Sequence, residues 1–244
     1  MERMTRKRIR LVCTVFGVAL LVQGAQAQPP SQQTPQQRVA MLKEWMRASQ
    51  AHLRAYEWIE TTVVAKDGEE KSRTQNSCYY GVDGKIQKVP VAGSSSESDS
   101  GRPRRGLRAK IAEEKKEELT EYMKSAVALV HSYVPPDPAR IQQCVNAGKL
   151  SVDLADPGHR DRLKFRDYLK SGDVFGFDIE VPTNRLLGMQ VSSYLDSPED
   201  AVVLNVTMGV LPDGTIYTQK TTLDAQAEEI TVTVENTGYR HTGG

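Results

Sequence analysis

From residue 149 to the C-terminus, hydrophobic and polar side chains alternate with a period of two. Leu163, Phe165 and Leu169 form one apolar set, and Phe175, Phe177, Ile179 and Val181 a second. Leu187, Met189, Val191 and Leu195 form a third. Val202, Leu204, Val206, Met208 and Val210 form the cleanest set, and Ile230, Val232 and Val234 a fifth. Asn205 and Thr207, or Thr231, Thr233 and Glu235, occupy the alternate positions. This period predicts antiparallel strands with one apolar and one wet face. Ser197-Pro198-Glu199-Asp200 and Pro212-Asp213-Gly214 have the residues of hairpin turns. The stretch Thr215 to Leu223 is polar on both sides and reads as an edge or rim strand. Upstream, Tyr56–Ala65, Ser72–Val82 and Lys85–Val91 read as a three-stranded meander, turned at Asp67-Gly68 and Asp83-Gly84.

Three segments change to a helical period. Val39, Leu42, Met46 and Leu53, with Trp45 beside them, predict a helix over 36–55, with Pro35 just before it. Leu119, Tyr122, Met123, Ala126, Val127, Val130 and Tyr133 share one face of a helix over 108–134, which Pro135-Pro136 ends. Its first half, Glu113 to Glu118, is almost wholly charged and belongs in water. Asp137 and Pro138 are suited to cap and open a third helix, ending near Ala147 before Gly148. Residues 92–105, rich in Ser and Gly with a basic end, read as a solvated loop. The fold class expected is α+β. A sheet of eight or nine strands twists and curls, and its apolar face must be covered. The expectation is a strongly curved antiparallel sheet, an open half-barrel, with about three helices over the concave face. Residues 36–244 then form a single domain, with the loop at 92–105 and a helical insertion at 108–147.

The N-terminus adds a destination. Arg3, Arg6, Lys7, Arg8 and Arg10 precede an apolar run, Leu11 to Val22, and Ala25-Gln26-Ala27 follows as a small-x-small tripeptide. This is the three-part pattern of a secretory signal spanning 1–27, with cleavage after Ala27. The run is shorter than the about 20 residues that span a bilayer, so no stable membrane span is expected after cleavage. Cys13 lies at the front of the run, not where a lipid-attachment cysteine belongs. The protein is therefore expected to be periplasmic or secreted, with residues 28–35 a Gln/Pro-rich flexible tail.

Cleavage leaves 217 of the 244 residues and removes five of the 32 basic and one of the 31 acidic ones, for a net charge near −3. That balance argues against nucleic acid as the main partner. Cys78 and Cys144 remain. In an oxidising compartment they are a candidate disulfide; two buried free thiols are the alternative.

Chemical motifs are sparse. The four histidines, His52, His131, His159 and His241, form no HExxH pair, and no G-x-S-x-G elbow is present. His159-Arg160-Asp161 lacks the Asn and the Gly-rich loop of a kinase site. Glu57 and Glu60 are three apart on a strand and point to opposite faces, so they do not form an acid/base pair. Asn205-Val206-Thr207 is a glycosylation sequon inside a strand. No enzyme activity, cofactor or metal is expected.

The order of elements resembles the periplasmic lipoprotein-carrier (LolA-like) half-barrel superfamily. The chain shares a secretory signal, a first helix, a meander opening with Tyr56-Glu57-Trp58, a helical insertion, and closing strands that carry Leu211-Pro212-Asp213-Gly214-Thr215. The resemblance covers most of the mature chain through element order and turn placement. It implies an open barrel whose apolar concave face holds acyl chains under a helical lid. Two functions stand as expectations. One is an exported cell-envelope protein binding a hydrophobic ligand, a lipid or lipoprotein acyl chain. The other is an envelope scaffold or sensor domain with a sealed core that binds another envelope protein, using Thr215 to Leu223 as an exposed edge. Trp58, Phe175, Phe177, Met189, Val206 and Met208 are the inward-facing residues expected to line a ligand or fill the core.

Overall fold

A computed structural model describes residues 35–91, 107–134 and 136–242. The signal segment 1–27 with its cleavage site Ala27, the 28–34 part of the tail and the loop at 92–105 lie outside the described residues. So do the side chains of Val39, Leu42, Trp45 and Met46.

Helix α1, Pro35–Leu53, leads into β1 (Tyr56–Lys66), β2 (Glu69–Tyr80) and β3 (Ile86–Pro90). Helices α2 (Leu107–His131) and α3 (Pro138–Asn146) follow. Seven strands complete the chain: β4 (Leu150–Asp156), β5 (Arg160–Arg166), β6 (Val174–Glu180), β7 (Arg185–Tyr194), β8 (Ala201–Val210), β9 (Ile216–Ala225) and β10 (Ile230–His241). All pair antiparallel in one ten-stranded open sheet, in the order β3-β2-β1-β10-β9-β8-β7-β6-β5-β4. The α+β class and the antiparallel meanders expected from the period of two are therefore present. The first meander joins the second through β1 and β10, the two strands furthest apart in the domain's sequence.

Local chemistry accounts for the boundaries. Asp67 and Gly68 both take positive φ, +55° and +76°, as a two-residue hairpin with the right-handed strand twist demands. Asp137 caps α3 by accepting from Ala139 N at 2.8 Å, Pro138 fills the first turn, and Gly148 takes φ +68° just past the end.

Four expectations are corrected. The described residues hold ten strands; the one missed is β4, an edge strand whose Val152 and Leu154 are 46% and 64% exposed and of which Leu150 packs against the core. The stretch Thr215 to Leu223 is not an edge: β9 sits between β8 and β10, and the edges are β3 and β4. Its polarity does not come from lacking a neighbour: Gln219 and Lys220 are exposed in the middle of a strand paired on both sides. Leu187 is not in phase with Met189. A bulge opposes Asp178 to Gly188 and Ile179 to Leu186, so Leu186 takes the buried position. On α2, Val127 is 42% exposed, while Leu129 packs against the core.

The core lies between one face of β5–β9 and the helices. Ala126 and Tyr133 from the α2 segment, and Ile141 and Cys144 from α3, join Leu163, Phe165, Phe175, Phe177, Ile179 and Val191 in one buried cluster. Helix α1 packs against β9 and touches α3; Ser49 Oγ accepts from Ile216 N at 3.1 Å, at the start of β9.

Candidate functional site

The register sets the apolar face out as two rows running across the strands. One row reads Leu150, Phe165, Phe175, Val191, Leu204, Leu223, Val232, Val64. The next reads Val152, Leu163, Phe177, Met189, Val206, Thr221, Val234, Thr62. Burial changes along both. From β5 to β7 every member is buried, under α2 and α3. The first row stays buried through Leu223 and is half-buried at Val232 and Val64. The second becomes half-buried already at Val206 and stays so through Thr221, Val234 and Thr62. The same apolar face is thus sealed over β5–β7 and partly open from there toward β1.

The six residues expected to face inward separate along this gradient. Phe175, Phe177 and Met189 lie in the sealed core, the two phenylalanine rings edge to face at 4.7 Å. Val206 and Met208 are half-buried at its margin. Trp58 is buried in a different place. Its ring stacks on Tyr239 at 5.5 Å and meets Tyr80 at 5.7 Å, and Tyr239 meets Tyr217 at 4.4 Å. Trp58 Nε1 donates to Asn236 Oδ1 at 3.1 Å. Burial pushes the Tyr239 phenol well above its ordinary value, so it stays neutral. This aromatic cluster stands beyond the half-buried stretch, because Trp58 shares its strand face with Glu60, Thr62 and Val64. Sequence reading found Trp58 but missed Tyr80, Tyr217 and Tyr239. Their signal is the register that brings β2, β1, β10 and β9 side by side.

Two tyrosines tie α2 to the sheet. Tyr122 OH donates to Asp200 Oδ1 at 2.5 Å, in the β7–β8 turn. Tyr133 OH donates to Asp173 Oδ2 at 2.5 Å and lies 2.8 Å from Ser193 Oγ. Burial, then the bond to the carboxylate, raises the pKa of both phenols, so they remain donors at neutral pH. Asp173 also accepts from the backbone N–H groups of Tyr168, Leu169 and Lys170. That arrangement holds the β5–β6 turn, and nothing in the sequence marks Asp173 for it.

The two stretches that carry the family resemblance meet. Tyr56 OH donates to Asp213 Oδ2 at 2.8 Å, and Thr215 N–H donates to Asp213 Oδ1 at 2.9 Å. The Thr215 amide, then the Tyr56 hydroxyl, hold the Asp213 carboxyl below its ordinary value. Beside this turn, a 320 Å³ hollow opens between α1 and the start of β9, with His52, Arg185 and Thr215 on its walls.

Cys78 and Cys144 are both buried free thiols. Cys144 belongs to the main core, whereas Cys78 lies opposite Trp58 across the β1–β2 pair. Desolvation raises the pKa of both, which keeps them protonated and poorly nucleophilic. Glu57 pairs with Arg240 and Glu60 with Lys88, on opposite faces of β1. Among the described residues, no group of three or more His, Cys, Asp or Glu side chains is placed to hold a metal ion. No described helix is long and apolar enough to cross a membrane. Comparison with protein-family models, with curated proteins and with solved structures found no match in any of the three.

Proposed function

We propose that this is an exported cell-envelope protein that binds a hydrophobic ligand, a lipid or lipoprotein acyl chain, in the manner of the lipoprotein-carrier half-barrels it resembles. The observation that carries this reading is the gradient of burial along the two apolar rows. Apolar residues left exposed singly are ordinary on a protein surface, whereas a contiguous half-covered apolar stretch marks a binding surface. Here Val64, Val206, Val232 and Val234 are left half-covered in one contiguous stretch. A partly open apolar surface with few polar groups is what an acyl chain selects. In this reading the sheet is strongly curved, the half-covered stretch lies on its concave side, and the aromatic cluster around Trp58 closes one end.

The test is native mass spectrometry and organic extraction of protein purified from its own host, followed by titration with a fluorescent fatty acid. A co-purifying lipid, or saturable probe binding that Val206→Asp and Val232→Asp abolish without lowering Tm below growth temperature, supports the reading. An empty protein that also ignores the probe overturns it.

One observation favours the second reading, a scaffold or sensor with a sealed core. Phe165, Phe175, Phe177 and Tyr133 are fully buried and leave no space for a ligand at that end. In that case strand addition uses β3 or β4, since β9 is already paired on both sides.

A further inference from the structure

The face of the sheet turned away from the helices carries a concavity of its own. A 230 Å³ hollow lies over β5–β8, walled by Arg160, Arg162 and Asp178 on one side and by Gln190, Asn205 and Thr207 on the other. The register explains it. Lys164, Gly176, Gln190 and Asn205 form one cross-strand row on this face. Gly176 has no side chain there, and a Cβ added to it would stand 3.3 Å from the Leu163 carbonyl oxygen. The gap in a row of long polar side chains is the floor of the hollow.

Its chemistry is unlike that of the apolar face. Arg160 and Arg162 both donate to the Asp178 carboxylate, and beside them Asp153, opposite Arg162, pairs with Lys164, so three positive charges face two negative ones. Arg160 Nε has no acceptor among the described residues. Across the hollow, Gln190 and Asn205 are direct cross-strand partners, and Thr207 lies two residues further along β8. Among the described residues, these three side chains make no hydrogen bond to the chain. The walls therefore offer two amides and a hydroxyl, each able to donate and accept, beside guanidinium donors with a surplus unit of positive charge.

We propose that this hollow is a second binding site, for a small hydroxyl-rich molecule carrying one oxyanion, that is, an acidic sugar. The amides and the hydroxyl match ring hydroxyls, and the guanidinium pair matches a carboxylate or phosphate ester. Met189 and Val206 also border the hollow, but their side chains belong to the opposite face; the side chains on this face are polar, so an acyl chain does not fit. The site lies on the opposite face from the proposed lipid surface and does not depend on it.

The experiment is isothermal titration of the exported chain with glucuronate, glucose 6-phosphate, glucose and acetate, repeated with the Gln190→Ala/Asn205→Ala double variant. Among the described residues these two side chains make no hydrogen bond or ion pair, so the variant is expected to keep its Tm. Saturable binding of glucuronate or glucose 6-phosphate is expected, the two arms telling a carboxylate from a phosphate. Binding should weaken by about tenfold or more for glucose, for acetate and in the double variant, the equivalent of one or two lost hydrogen bonds. The proposal is overturned if neither acidic sugar binds at millimolar concentration, if acetate binds as well as glucuronate, or if the double variant binds unchanged.

Discussion

Replacing Asp173 with alanine removes one carboxylate and strands four donors. Its oxygens accept from Tyr133 OH at 2.5 Å, Tyr168 N at 2.5 Å, Leu169 N at 2.9 Å and Lys170 N at 3.0 Å. The first two bonds are buried, and the other two lie where water can reach. A buried donor left without an acceptor costs about 1–3 kcal/mol, and a solvent-reachable one much less. The sum points to a loss of about 4 kcal/mol, a large share of the roughly 5–15 kcal/mol that holds a domain together. Tyr133→Phe removes only one of the four bonds and leaves the other three in place. It should cost about 2 kcal/mol, including the Ser193 hydroxyl left beside a ring edge. Urea unfolding measures both. With a slope of about 2 kcal/mol/M, the Asp173→Ala midpoint should fall by about 2 M and that of Tyr133→Phe by about 1 M, at unchanged slope. The double variant should cost less than the sum, because both changes delete the same bond. The reasoning fails if Asp173→Ala costs under about 1 kcal/mol, or if the two single variants cost the same.

Three further outcomes are expected. Phe177→Ala should cost about 3–5 kcal/mol and Val206→Ala under about 1.5 kcal/mol, because they lie in the sealed and half-covered parts of one row; equal costs in chemical denaturation would remove the burial gradient. Gly188→Ala should cost about 1–3 kcal/mol, since its Cβ would fall 2.5 Å from the Val206 carbonyl oxygen, and a neutral result in thermal melting would contradict that contact. Burial works to raise the Asp178 pKa, but hydrogen bonds from Arg162 and Arg160 hold it below its ordinary value. A depressed carboxylate adds stability above its unfolded pKa, about 3.9, and loses it as pH falls through the lower folded value. Asp178→Asn should therefore flatten the acid limb of a stability–pH profile and leave its neutral limb parallel to the wild type; an unchanged acid limb would refute the pairing.

The period of two along 160–241, the Asp-Gly turns and the cap at Asp137 are local, and each imposes its conformation through a residue's own backbone preference or side-chain reach. These made the antiparallel strands, the helix positions and the inward phase of Phe175, Phe177 and Met189 legible in the sequence. The hydrophobic pattern does not carry strand neighbourhood, because pairing depends on which backbones approach one another. The polar middle of β9 resembles an edge in sequence, yet β8 and β10 close on both its sides. The bulge at Leu187 shifts the phase of β7 by one residue; Gly188 beside it is the one local mark of it, and the apolar period alone does not show the shift. The aromatic cluster at Trp58 gathers side chains from strands far apart in sequence, the Asp173 carboxylate joins a turn to the α2 segment, and the hollow over Gly176 depends on the register of four neighbouring strands. The chain's composition fixed which surfaces are apolar and which are wet. Only tertiary packing decided where that apolar surface is sealed and where it stays open, because coverage depends on how far the helices reach across ten strands.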